Sequence, residues 1–372
     1  MNLRHAEVSD ERGAVSIFVA LTMTFFIGIA AMAVDVGYMM VGKTELQRTA
    51  DAAALAATRQ LGHIYEGMTY TAQQSYDVTG DAAVIQNAAI DAAVQNRAAG
   101  TNVVIDPADI QIGTWDQARD PRFVVTTSQP NAVYVKARRD GTANGPIVTF
   151  FARIFGVGSV GVSAQATAAL TGESTSGPGG LPIPIGIPTR WFQNPSFCNS
   201  SINFYPPCNK EPCATSEGCA GYHTYEDSPS SASFIKNVIM PGIPTGAYEA
   251  PSTTAGQSEF NFTGGTMAAL MNPPDYPFIS LFDTMKVRND GVTDLDENSS
   301  TWTAKVIVYE SDSCANPNQT LTVAGYTTIV ITNVVGPPNP RVEGKVLCDN
   351  VQWGRGGGGS YGTMGSIPGL VQ

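Results

Sequence analysis

Cysteine is missing from the first 197 residues, and all six (Cys198, Cys208, Cys213, Cys219, Cys314 and Cys348) fall after that point. An even number of thiols confined to one region fits disulfides made in an oxidising compartment, and without a Cys-x-x-Cys motif it does not fit a dithiol redox catalyst. Cys208 and Cys213 are separated by four residues, at the wide end of zinc-ligand spacing, but no second matching pair accompanies them. Disulfides are therefore the better reading, and no metal site is assigned. If the first four cysteines pair among themselves, three connectivities are open, and Cys314 is left to pair with Cys348. Histidine is also scarce: His5, His63 and His223 are the whole set. Each reads as a surface residue. No nucleophile–base pairing can be named around them, so no enzyme and no catalytic residue is expected. Charged side chains make up 14% of the chain, with a net charge of −11. An acidic, weakly charged chain without a basic stripe argues against nucleic acid as a partner, and no polybasic segment is present to hold anionic lipid. Nothing calls for a cofactor or a small-molecule substrate.

Against these absences stands one long apolar run. Ala14 to Val34 carries no charge over 21 residues and ends at Asp35. At 1.5 Å per residue it reaches about 31 Å, enough to cross a bilayer core. Ala31-Met32-Ala33 has the form of a signal-peptide cleavage site. The run is longer than a usual signal core, however, and the preceding residues set Arg4 and Arg12 against Glu7, Asp10 and Glu11. An uncleaved anchor is the expectation, with secretion after cleavage at Ala33 as the alternative. Basic residues flank the run evenly (Arg4 and Arg12 before it, Lys43 and Arg48 after it), so the positive-inside rule does not orient it. The cysteines do: the bulk of the chain is expected outside the cytoplasm. Within the run, Ser16, Ala20, Thr24 and Gly28 are four residues apart, and Ala33 and Gly37 repeat the spacing. Small residues at this interval let membrane helices pack backbone to backbone, which makes these six a candidate packing face.

The spacing predicts that the helix continues past the membrane to about Leu61, alanine-rich in its second half and closed by Gly62. A loop over 63–80 follows, then a second helix from Ala82 to Ala99 begun by Asp81 and closed by Gly100. Strands are predicted at Val103–Ile105, Ile110–Trp115, Phe123–Thr127, Ala132–Arg138 and Val160–Leu170, with a short amphipathic helix over Pro146–Phe155 ended by Gly156. The stretch GESTSGPGG, residues 172–180, is a linker by composition. The region after it is Pro-rich and mostly β, with its clearest strands at Thr303–Tyr309 and Tyr326–Val335. Residues 354–372 form a glycine-rich tail, mobile or laid over the surface. The acidic stretch from Asp290 to Asn298 resembles the start of a calcium loop, but Ser299 and Lys305 stand where glycine and glutamate are required, so a solvated turn is expected. Asn-x-Ser/Thr triplets at Asn199, Asn261, Asn298 and Asn318 carry meaning only in a host that glycosylates them.

Gly13-Ala14-Val15, the apolar span, Ala33-Val34-Asp35-Val36-Gly37, and Leu46-Gln47 followed by Ala50-Asp51-Ala52-Ala53-Ala54-Leu55-Ala56-Ala57 together resemble the TadE/TadG-like proteins of bacterial tight-adherence (Flp) pilus systems. Phe150-Phe151-Ala152-Arg153-Ile154-Phe155-Gly156 and Val162-Ser163-Ala164-Gln165-Ala166-Thr167-Ala168 are similar to a weaker pattern of that family. The resemblance implies an inner-membrane, single-pass protein with a periplasmic C-terminal domain, acting in pilus assembly beside other pilus-assembly or envelope proteins. Two family features do not carry over. Phe18 stands five residues after Gly13, where a prepilin peptidase requires glutamate, and the Asp-x-Ser-x-Ser motif of longer TadG relatives is missing.

The expected fold class is α+β. Its expected parts are a cytoplasmic tail (1–13), a transmembrane helix (14–34), an α+β pilin-like region that opens with the Ala-rich periplasmic helix (35–171), the linker (172–180), a β-rich cysteine-containing domain (181–353) and the tail (354–372).

Overall fold

A computed structural model describes residues 11–193, 197–199, 201–205, 217–225, 231–263, 267–273, 275–288, 290–291, 293–295, 298–313, 319–338 and 340–371. The chain begins with helix α1 (Glu11–Glu66), 56 residues long and unbroken. Its N-terminal part is apolar on every side. Ile17, Phe18, Leu21, Phe25, Phe26 and Ile29 are all exposed, and an 18-residue window has a mean hydropathy of 2.4 with none of it buried. A helix that is hydrophobic all round is built for an apolar surrounding. Burial begins at Asp35 and recurs at Gly42, Leu46, Ala50, Ala53, Ala57, Leu61 and Tyr65. Most of these steps are of three or four residues, so they trace one stripe along the helix.

The helix passes its predicted end. Gly62 is an interior residue, not a cap, and a Cβ there would overlap the backbone of Ser366. Glycine is present for close approach, at a cost of roughly 1 kcal/mol in helix propensity.

The fold divides into two compact units. One comprises Met1–Ala54, Gln86–Ile110 and Val135–Ala166, and the other Leu55–Ile85, Gln111–Tyr134 and Thr167–Gln372. In the first, the second predicted helix is α2 (Ala82–Val94, entering this unit at Gln86). It stops at Val94, short of Ala99. Ala99 and Gly100, both at positive φ, instead turn a small hairpin between Arg97–Ala98 and Thr101–Asn102. Val103–Ile105 is buried at Val103 and Ile105 but forms no strand. The predicted helix over Pro146–Phe155 is also replaced. Ile147–Val148 pairs antiparallel with Ser159–Val160, leaving a 3-10 turn at Ala152–Phe155. Gly156, at φ 86°, closes that turn as anticipated. Small side chains fill the interior of this unit, among them Ala50, Ala53, Ala89, Ala93, Ala98, Ala137, Ala164 and Ala166, with Leu46, Val135 and Ile147 as larger members.

In the second unit, the stretch predicted as a loop over 63–80 holds the end of α1, a helical turn at Tyr70–Gln74 capped by Thr69, and a 3-10 turn at Val78–Gly80. Two sheets follow. The larger, of eight strands among the described residues, runs in the order Glu217–Cys219, Ser201–Tyr205, Arg341–Leu347, Gln319–Val335, Trp302–Tyr309, Ile185–Pro188, Gly221–Tyr222, with Glu259–Phe262 also on the long Gln319–Val335 strand. Trp302–Tyr309 is buried at every position, as a central strand covered on both faces must be. Both strands predicted with most clarity are present, the second extended back to Gln319. The smaller sheet orders Thr253–Thr254, Thr175–Ser176, Asn350–Arg355 and Thr363–Ile367. Residues 172–180 thus contribute a strand at Thr175–Ser176. The glycine-rich tail is likewise drawn into sheets: Thr363–Ile367 runs parallel to Asn350–Arg355, and Gly369–Leu370 pairs with Ala168–Ala169. Short helices at Met240–Thr245, Met267–Met271 and Pro277–Met285 complete this unit, and its core is built on Trp302, Tyr222, Tyr309, Tyr326, Phe262 and Phe278.

The architecture is therefore a long apolar N-terminal helix followed by a sheet-rich α+β body, with a disulfide between Cys198 and Cys348.

Candidate interaction surface

The candidate packing residues lie along the bare part of α1. Ser16, Ala20, Thr24, Ala33 and Gly37 are exposed and Gly28 half-buried. A Cβ added at Gly28 or Gly37 would meet nothing within 4 Å. Thr24 donates its hydroxyl to the Ala20 carbonyl at 2.8 Å, which satisfies that polar group inside the helix.

Where the apolar run ends, the helix gains a partner that sequence reasoning missed. The Asp35 carboxylate accepts three backbone hydrogen bonds, from Phe150 N–H at 2.7 Å, Phe151 N–H at 2.9 Å and Ala152 N–H at 2.6 Å. These are the free amides at the start of the 3-10 turn, and a carboxylate is a strong acceptor for such a cluster. The Tyr38 ring meets the Phe150 ring edge-on at 5.2 Å, and the Tyr38 hydroxyl donates to the Ala99 carbonyl at 3.2 Å. A Cβ at Gly42 would crowd the Ile147 side chain. Asp35 and the Phe-Phe-Ala motif were each visible in sequence, but 115 residues separate them.

The cysteine expectation needs correction. Cys348 is bonded to Cys198, not to Cys314. Strand register is the reason: Ser201 pairs with Lys345 in the antiparallel ladder, and three further residues bring Cys198 opposite Cys348. Cys208, Cys213 and Cys314 lie outside the described residues, as does the Cys219 side chain.

The histidines divide. His63 is exposed beside Glu66, and His5 lies outside the described residues. His223, expected at the surface, is fully buried. Its ring stacks on Phe260 at 5.2 Å and meets Tyr225 and Phe262 edge-on, while its Nδ1 accepts from the Tyr225 amide at 3.2 Å. Burial pushes its pKa down to about 3, so it serves as a neutral aromatic core residue.

Gly358-Gly359-Ser360-Tyr361-Gly362 has the Gly-x-Ser-x-Gly form of a hydrolase elbow. That device needs a strand-to-helix turn, whereas Ser360 sits in the connection between two strands of one sheet. Ser360 and Asp349 line a cleft of about 740 Å³ with Tyr65, Gln73, Trp115 and Asn131, and no histidine lines it among the described residues. In the stretch beginning at Asp290, the Asp290 carboxylate accepts from the Thr293 amide at 2.7 Å and the Thr293 hydroxyl at 2.6 Å.

A buried ion pair lies between the strands of the second unit. Glu173 is fully buried, and Lys305 donates to its Oε1 at 2.6 Å. Burial raises the Glu173 pKa to about 7, with the Lys305 ammonium pulling the other way. Gly354 leaves the room that the carboxylate fills.

Among the described residues the chain thus carries one helix long and apolar enough to cross a membrane, by length and composition, ahead of a sheet-rich body. Residues 13–60 match the Tad family model, described as Flp pilus-assembly TadE/G-like. Residues 70–168 match a second model of the same kind, Tad-like Flp pilus-assembly. The N-terminal region is therefore similar to Flp pilus-assembly families. No curated protein and no solved structure matches the chain.

Proposed function

We propose that this protein is a membrane-anchored, non-catalytic structural component of Flp/Tad-type pilus assembly or secretion machinery. The observation that carries the reading is the apolar N-terminal part of α1, none of it buried, lying within the residues that match the pilus-assembly family. Residues 14–34 form the single transmembrane pass in the inner membrane. The body from Asp35 onward is periplasmic, an assignment supported by the Cys198–Cys348 bond. The Ala-rich helix and the matched region to residue 168 form its pilin-like part. Partners are other pilus-assembly or envelope proteins, engaged through the membrane helix and the periplasmic body, with no nucleic acid and no small-molecule substrate.

The face of Ser16, Ala20, Thr24 and Gly28 supports lateral docking. Ala20→Leu with Gly28→Leu keeps the helix apolar and removes close approach. Recovery of co-purifying pilus-assembly proteins should fall by about tenfold while membrane insertion is unchanged, the loss of roughly 1–2 kcal/mol of packing. Equal recovery from both proteins contradicts the docking face. The Ala31-Met32-Ala33 sequence, exposed at Met32 and Ala33, supports one second reading, a binding module or adhesin secreted after cleavage at Ala33, in which case the mature protein begins at Val34 and is free of the membrane.

A further inference from the structure

The first unit holds an apolar patch that its own packing does not use. Within the ten residues from Val148 to Val157, six large apolar side chains are exposed: Val148, Phe150, Phe151, Ile154, Phe155 and Val157. Ile154 is 77% and Phe155 73% exposed. The segment carries a single charge, Arg153, also exposed. Soluble surfaces rarely gather this much apolar side chain in one place without an occupant.

The hydrogen bonds to Asp35 indicate what that occupant is. Asp35 is the first residue after the uncharged run, and it holds the amides of Phe150, Phe151 and Ala152 directly. The patch therefore sits beside the point where the helix leaves its apolar stretch. We propose that Val148–Val157 is a second membrane contact, a wedge seated in the headgroup–acyl boundary of the same bilayer that α1 crosses. This rests on the reading of residues 14–34 as a membrane span. The interfacial layer on each side of a hydrocarbon core is about 5–8 Å deep, roughly one helical turn, so a segment fixed to residue 35 lies at that depth. Aromatic rings are favoured there, and Tyr38, packed on Phe150, adds a ring with a polar tip to the same level. Arg153 keeps its charge in the headgroups while its stem lies along apolar surface. Asp35 joins the two anchors and so fixes the rotation of the helix relative to the wedge.

The test uses the full chain reconstituted into vesicles of phosphatidylcholine alone, so that no other protein is available to cover the patch. Phe155→Trp places a reporter in the wedge and Phe26→Trp one in the span; both replace exposed rings, and the wild-type signal is subtracted. The wedge reporter should be quenched at least about twofold more by lipid brominated near the headgroup than by lipid brominated near the chain end, and shielded from aqueous acrylamide. The span reporter should show the reverse order of bromolipid quenching. A span reporter quenched by lipid beside a wedge reporter open to acrylamide overturns the wedge and leaves the anchor standing; it also points to a protein as the natural cover of the patch. Both reporters open to acrylamide overturn the anchor and the wedge together.

Discussion

Glu173→Gln should reveal a pH dependence that the wild-type protein conceals. Buried Glu173 titrates at about 7 against its ordinary 4.5. Between those values the folded chain holds a proton that the unfolded chain has released. The group's contribution to stability is therefore complete below 4.5 and is lost as pH rises through about 7, a change of roughly 3 kcal/mol. His223 works in the opposite direction. Its folded pKa of about 3 lies below its ordinary 6.5, so its contribution is complete above 6.5 and is lost as pH falls toward 3. Across the shared window the two slopes oppose each other. Glutamine keeps the shape of Glu173 and cannot titrate. In the variant the His223 slope is no longer opposed by Glu173, and the His223 contribution climbs by about 1.4 kcal/mol per pH unit up to pH 6.5. Thermal or urea unfolding of the detergent-solubilised chain at several pH values from about 4 to about 8 measures both curves. The advantage of wild type over Glu173→Gln should shrink by roughly 3 kcal/mol from the acid end to the alkaline end. A constant offset between the two proteins would refute the assignment of a raised carboxyl at Glu173.

Two further substitutions probe the packing of α1 and the covalent tie. Gly62→Ala, which in an open helix stabilises by about 1 kcal/mol, should here lower the unfolding temperature, because overpacking against the Ser366 backbone costs about 1–3 kcal/mol. A rise in unfolding temperature would mean that the two backbones do not meet. Cys198→Ser with Cys348→Ser opens a loop closed over a separation of 150 residues, and a loss of about 2–5 kcal/mol should appear in urea unfolding. An unchanged midpoint would place that bond outside the cooperative fold.

What the sequence made legible follows from the range of the forces involved. The apolar run and the alanine stripe of α1 were readable because helical periodicity is local, and so were the alternating strand Ala132–Arg139 and the buried strand Trp302–Tyr309. Gly62 was misread as a cap because the chain that approaches it lies some 300 residues away, at Ser366. The helical pattern over Pro146–Phe155 gave way for a similar reason: strand pairing with Ser159–Val160 and capture of three amides by Asp35 outweigh a weak local preference. Long-range register likewise decided the partner of Cys348, and burial among Phe260, Phe262 and Tyr225 decided the state of His223. The glycine-rich tail lacks a hydrophobic pattern, yet Asn350–Arg355 and Ala168–Ala169 offer open edges that its backbone can pair with. In the candidate surface, the Asp35 junction was hidden because it required two distant motifs to be brought together.

Everything proposed for this protein requires residues 14–34 to stay attached and hold the body at the inner membrane. Alkaline carbonate extraction of native membranes, followed by N-terminal sequencing of the pelleted protein, tests it most directly. The chain should remain in the pellet with the apolar run intact. A soluble chain that begins at Val34 would contradict it.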